Sequence, residues 1–203
     1  MGVPEEWYRS AAYQPLTTMR RYLDAMEISR QFVRGQDTPL VLGALGPKMM
    51  ALGAARGAGA HPFNAPPEHT RRARELLGPK PWICTGQHVC LCSDPARARA
   101  AARKALEFYF VTPNYQRHWT SLGYAARDFT DGGSDHLVDA LVAWGSEAQI
   151  RDRIQQHSDA GATQVIINSI NPADPLAGAS ATGVEGYNFE SAPHWELYEL
   201  LRP

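Results

Sequence analysis

Residues 38–64, TPLVLGALGPKMMALGAARGAGAHPFN, constrain the fold more than any other stretch of the chain. Leu40, Val41 and Leu42 form a short apolar run introduced by Pro39, the pattern of a strand buried in a parallel sheet. Gly43, Gly46 and Pro47 break that run. Pro47 suits the first turn of a helix, where its missing N–H costs nothing. The spacing predicts a helix through Arg56 with Met49, Met50 and Leu52 turned inward, stopped by Gly57 and Gly59. Ala60, His61, Pro62 and Phe63 then begin the next strand or its exit loop. This is a βαβ unit, and in such folds ligands sit at the carboxyl ends of the strands.

The loop Gly43-Ala44-Leu45-Gly46-Pro47-Lys48 therefore falls where a ligand would. Its small residues let a planar ring or a phosphate approach the main chain, and the helix N-terminus adds free N–H groups and a partial positive charge. Any tight strand-to-helix turn also favours glycine, and the loop matches neither the dinucleotide fingerprint nor a P-loop.

The flanking chain continues the alternation. Pro15 opens a helix with Leu16, Met19, Leu23 and Met26 on one face, ended at 35–37, and that face should pack on a sheet. A second helix starts at Pro67 with Ala73, Leu76 and Leu77 inward and stops at Gly78-Pro79. Residues 82–92, WICTGQHVCLC, read as a strand with His88, Cys90 and Cys92 on one face. Same-face positions lie roughly 6.5–7 Å apart along a strand, an awkward bite for one tetrahedral zinc, so no metal is expected. Asp94-Pro95 is an N-cap followed by proline at the first helical position, and Ala102, Leu106, Tyr109 and Phe110 make the apolar face. Pro113 should end that helix, leaving 114–133 as an irregular aromatic insertion. Ser134 caps a helix carrying Leu137, Val138, Leu141 and Trp144, stopped by Gly145; Ser146 and Gln149 form a capping box for the next, with Ile150 and Ile154 inward and Gly161 as the stop. Val165, Ile166 and Ile167 read as the last central strand. Residues 1–14 and 171–193 read as loops, and 194–201 as a terminal helix packing Trp195, Tyr198 and Leu201. No repeat and no composition break divides the chain, so one domain over 1–203 is expected.

Composition narrows the class. A net charge of −1 argues against non-specific nucleic-acid binding, which needs a clear basic excess. The start, MGVPEEWYRS, lacks the apolar core of a signal peptide, Glu6 breaks a myristoylation signal, and no apolar run approaches a membrane span. Cys84, Cys90 and Cys92 are an odd count without framework spacing, so disulfides are not expected and the cytoplasm is the default compartment.

GALGPKMMALGAARGAGAHPF (43–63) resembles the middle of the luciferase-like monooxygenase superfamily, in the branch of oxidoreductases that use the deazaflavin coenzyme F420. PPEHTRRARELLG (66–78), VTPNY (111–115), LGY (122–124), SDHLVDALVAWG (134–145) and DAGATQVII (159–167) follow in the family's order. The collinearity, from about Pro15 to Ile167, is more specific than any one motif. The resemblance implies an α/β fold of the TIM-barrel-like (β/α)8 kind. It also implies deazaflavin or FMN at the carboxyl ends of the strands, with hydride transfer or oxygen activation there.

A (β/α)8 barrel takes about 250 residues, and this sequence has 203. The resemblance begins near the fourth strand, so the expectation is a partial barrel of about four βα units with an aromatic insertion. A truncated product, a misplaced start and another way of closing all stay open. The resemblance implies that Gly43, Ala44, Leu45, Gly46 and Pro47 border the cofactor, with Met49 and Met50 contacting its phosphate arm through their N–H groups. His61 stands at a strand end where it could face the cofactor or be a core histidine. Tyr115 and Trp119 would wall the substrate pocket, or form an aromatic core under a loop. Catalytic groups in the family come largely from the early strands, so none is assigned. Three readings follow: an F420-dependent oxidoreductase of unidentified small-molecule substrate, an FMN-dependent monooxygenase, or a non-catalytic half-barrel. Two unpaired sheet edges would favour a homo-oligomer.

Overall fold

Prolines set where most helices of this chain begin. The computed structural model describes residues 14–30, 32, 38–173 and 195–201. Pro47, Pro67, Pro95 and Pro113 each stand in the first turn of a helix, where a fixed φ and a missing N–H are harmless. The order is α1 (Pro15–Arg30), β1 (Val41–Gly43), α2 (Pro47–Arg56), β2 (Gly59–His61), α3 (Pro67–Leu77), β3 (Trp82–Leu91), α4 (Pro95–Phe110), α5 (Pro113–Ser121), a 3-10 turn (Ala126–Asp128), α6 (Asp135–Leu141), β4 (Val142–Gly145), α7 (Glu147–Asp159), β5 (Gln164–Ser169) and α8 (Trp195–Leu200).

All the strand pairings among the described residues are parallel, and all but β1 with β2 involve β3. β1 pairs with β2, with Gly43 opposite His61. The start of β3 pairs with β2, through Gly59 opposite Trp82 and Ala60 opposite Ile83. Its end pairs with β4, through His88 opposite Val142 to Leu91 opposite Gly145, while Cys84 to Val89 pair with β5. Gly86 bridges Phe63 while pairing with Ile166, and His88 pairs with both Val142 and Asn168. A strand has two edges, so β2 and then β4 share one edge of β3, and β5 takes the other. The outer edges of β1, β4 and β5 pair with no described strand. Among the described residues the sheet is a partial (β/α) barrel that does not close, in line with the α/β expectation.

β3 alternates its faces between two packing layers. Val89 lies with Ala143, Ile150 and Leu197 beneath α7 and α8. Cys90 lies with the alanine face of α4, with Leu106, Leu137 and Leu141, and with Trp119. Fully buried side chains such as Leu106, Leu137 and Ile150 each contribute about 1.5–3 kcal/mol to that packing. Leu23 of α1 packs on Leu42 and Leu52. Arg74 holds β5 in place from α3: its guanidinium donates to the carbonyl of Gly161 at 2.8 and 3.0 Å and to that of Pro81 at 2.8 Å. Asp94 accepts from the N–H groups of Ala96 and Arg97, and Ser146 and Gln149 form the capping box read from the sequence.

Several expectations need correction. Pro113 starts a nine-residue helix, so 114–133 is not wholly irregular. The helix after Ser134 ends at Leu141, and Val142–Gly145 is a strand because it finds the end of β3. β5 is not a central strand: it pairs with β3 alone among the described strands, and Ile166 is 38% exposed. Leu76 is half exposed rather than inward. The terminal helix packs through Leu197, with the Tyr198 hydroxyl accepting from the Ser169 N–H at 3.3 Å. The expected loops at 1–13 and 174–193, the helix end at 35–37 and the Trp195 side chain lie outside the described residues.

Candidate ligand site at the carboxyl ends of β1 and β2

The parallel register sets the site. Gly43 and His61 are partners at the ends of β1 and β2, and the Ala44 N–H extends the ladder by donating to the His61 carbonyl at 3.1 Å. The chain then turns through Leu45 and Gly46 into α2, drawn against β2 by Gly53, where a Cβ would lie 2.6 Å from the Gly59 carbonyl oxygen. A cavity of roughly 930 Å³ opens beside this turn. Gly43, Ala44, Leu45, Gly46, Pro47 and Met49 form one wall, and His61 and Phe63 a second. Ile166 and Asn168 of β5 line another side, and Tyr109, Asn114, Tyr115, Arg117 and His118 cover it from α4 and α5. Pro15 and Leu16 of α1 and Lys48 complete the lining near the loop.

Most glycines near the sheet answer to protein neighbours. At Gly86 a Cβ would fall 2.2 Å from the Phe63 ring, and at Gly59 2.0 Å from the Trp82 carbonyl. Gly43 and Gly46 differ: a Cβ at either would meet nothing within 4 Å, and neither has a positive φ. Neither packing nor backbone conformation asks for glycine there. The space they leave open belongs to the cavity.

His61 is half-buried, and its Nδ1 lies 2.5 Å from the Cys84 carbonyl. Behind it Phe63 sits 5.0 Å from His88 and 5.9 Å from Tyr109, and Tyr109 meets Tyr115 edge-on at 4.9 Å, by ring centroids. Burial, then the neighbouring Tyr109, pushes the Tyr115 phenol well above its ordinary range. Burial pulls His88 down to about 4, an effect that the Asn168 backbone only partly offsets. His118 is lowered to about 4 by burial and then by Arg72, and its ring meets His69 edge-on at 4.4 Å. Burial thus favours the neutral forms of Tyr115 and His118 in the cavity wall, with the cations Lys48 and Arg117 among its lining.

Two of the expected site residues are not on this wall. Met50 is 3% exposed in the core under the turn, and its N–H and that of Met49 both donate to the Gly46 carbonyl, at 3.0 and 3.1 Å. These bonds begin the helical ladder, so neither N–H is free for a phosphate. Trp119 is fully buried and donates its indole N–H to the Asn64 carbonyl at 2.9 Å, the core alternative for that residue. The other expected residues, Gly43 to Pro47, Met49, His61 and Tyr115, come together. Sequence reasoning named no site role for Phe63, Tyr109, Ile166 or Asn168; the period-two alternation that puts Ile166 and Asn168 on one face of β5 was the available signal. No group of three or more His, Cys, Asp or Glu side chains placed to hold a metal occurs among the described residues. Cys90, pushed up to about 12 by burial and then by Cys92, is a packed core thiol.

Parallel β/α units with a ligand-sized cavity at the carboxyl ends of the strands define a protein of the β/α-barrel kind. The luciferase-like monooxygenase family matches residues 6–164, and the chain belongs to that family. Among solved structures it is similar to the coenzyme F420-dependent tetrahydromethanopterin reductase from Methanopyrus kandleri, at 17% identity and a TM-score of 0.48 over 70% of this chain and 48% of that one. It is also similar to an F420-dependent secondary alcohol dehydrogenase in complex with an F420-acetone adduct, at 14% identity and a TM-score of 0.47 over 81% of this chain and 49% of that one. The chain spans about half the length of these structures. A search of curated proteins finds no significant match. No helix among the described residues is long and apolar enough to cross a membrane.

Proposed function

We propose that the chain binds the deazaflavin coenzyme F420 in the cavity beside 43–49 and serves hydride transfer to or from a small organic substrate. The observation that carries this reading is the pair Gly43 and Gly46, glycines that no protein neighbour and no backbone angle requires, on the wall of a cavity of roughly 930 Å³. A planar ring approaching the main chain does require them.

The residues present fit such a group. The face left open at Gly43 and Gly46 takes the ring, with His61 and Tyr115 on neighbouring walls. Lys48 is exposed, lines the cavity and makes no ion pair among the described residues, so it suits the phosphate of the side chain. Bound deazaflavin supplies a ring carbon that accepts or gives a hydride. The chain's own part is to orient the ring, exclude water with Phe63, Tyr109 and Tyr115, and hold hydrogen bonds at His61.

The test is an equilibrium titration of the purified chain with deazaflavin and with FMN, followed by cofactor fluorescence. Saturable binding of deazaflavin alone supports the reading. Saturable binding of FMN alone replaces it with a flavin-dependent monooxygenase, and binding of neither by a folded sample refutes both in favour of a non-catalytic half-barrel.

A further inference from the structure

We infer that His61 is a preoriented hydrogen-bond acceptor for the ring of the bound cofactor, and that Gly86 and Phe63 position it. This rests on the proposed cofactor reading. The Cys84 carbonyl can only accept, so His61 Nδ1, 2.5 Å away, carries the hydrogen. A neutral imidazole protonated at Nδ1 presents a lone pair at Nε2. That atom makes no hydrogen bond among the described residues, in a side chain that lines the cavity.

The ring is also fixed from behind. A Cβ at Gly86 would stand 3.2 Å from His61 Cε1 and 2.2 Å from Phe63 Cδ2. Gly86 has no positive φ, so the two rings, not the backbone, keep this position glycine. Phe63 is bridged to Gly86 through its main chain and packs against His88 at a tilt and Tyr109 edge-on. His61 faces Gly43 in the β1–β2 register, so the held nitrogen and the open glycine share one cavity. The chemistry that Nε2 selects is a hydrogen-bond donor. A deazaflavin or flavin ring carries one as its imide N–H, and a substrate hydroxyl is the other source. Cofactor titration without substrate separates the two.

Two substitutions divide the roles of the two nitrogens. An asparagine amide reproduces Nδ1, and a glutamine amide reaches the place of Nε2. If Nε2 contacts the cofactor, His61→Gln binds deazaflavin within about threefold of wild type, and His61→Asn binds about tenfold more weakly, the loss of one hydrogen bond. Gly86→Ala weakens binding comparably although residue 86 does not line the cavity, and thermal melts confirm that each variant is folded. Equal affinities for the Asn and Gln variants, or the reverse order, overturn the contact. An unchanged affinity in Gly86→Ala overturns the positioning. Failure of wild type to bind either cofactor removes the proposed function and this inference together; wild-type binding with the wrong order removes the inference alone.

Discussion

Replacing Gly43 by alanine separates the stability of the fold from the demands of a ligand. The added Cβ meets no heavy atom within 4 Å, and the backbone there is outside the left-handed region. The free protein therefore loses nothing in packing, and the less flexible unfolded chain makes it about 0.4–1 kcal/mol more stable. A ring lying on the Gly43 main chain would instead be pushed away by the methyl. Overpacking of this kind costs about 1–3 kcal/mol, which is roughly a 5- to 150-fold rise in Kd. The assay pairs a thermal melt of the free chain with fluorescence titration of deazaflavin. Expected is an unchanged or slightly raised Tm with clearly weaker binding. A variant that keeps wild-type affinity refutes the argument that the ligand is what keeps this position glycine. A variant that melts early refutes the claim that the space is empty.

Trp119→Phe removes the donor to the buried Asn64 carbonyl and should destabilise the chain by about 1–3 kcal/mol in urea melts, while leaving cofactor affinity at wild-type level if the residue is core. Burial lowers His69 to about 3 and His88, His118 and His157 to about 4. The unfolded chain, with ordinary histidines near 6.5, then binds more protons than the folded one as pH falls from about 6.5 to about 4. Stability is lost across that window, at up to about 1.4 kcal/mol per pH unit for each such histidine. His157→Leu should reduce the slope of Tm against pH there, and a flat profile for wild type contradicts the assignment. The open outer edges of β1, β4 and β5 predict self-association, and a clean monomer by light scattering would refute it.

What could be read from sequence follows how local the determining contacts are. The Asp94 cap, the Ser146–Gln149 box and the β1–turn–α2 unit were legible because each is settled within a few residues. Pro113 was not, since proline ends one helix and begins the next by the same chemistry. Val142–Gly145 misled because Leu137, Val138, Leu141 and Trp144 keep helical spacing, and only pairing with residues more than 50 positions earlier makes the segment a strand. In the site, the glycine loop was visible in the sequence. The choice between core and wall for Met50 and Trp119 was not, because both rest on helices whose rotation depends on tertiary packing.

The central place of β3 in the sheet has a temporal consequence. β3 is complete at residue 91, yet the strand that covers its second edge begins at residue 164. Pairing across that separation closes a long loop before any contact rewards it, which makes the step intrinsically slow. A ribosome adding about 5–20 residues per second leaves that edge bare for several seconds while α4 to α7 emerge. During that interval the nascent chain is most exposed to mispairing with its neighbours, and Arg74, already waiting on α3, is the residue that receives the turn at Gly161 when β5 arrives.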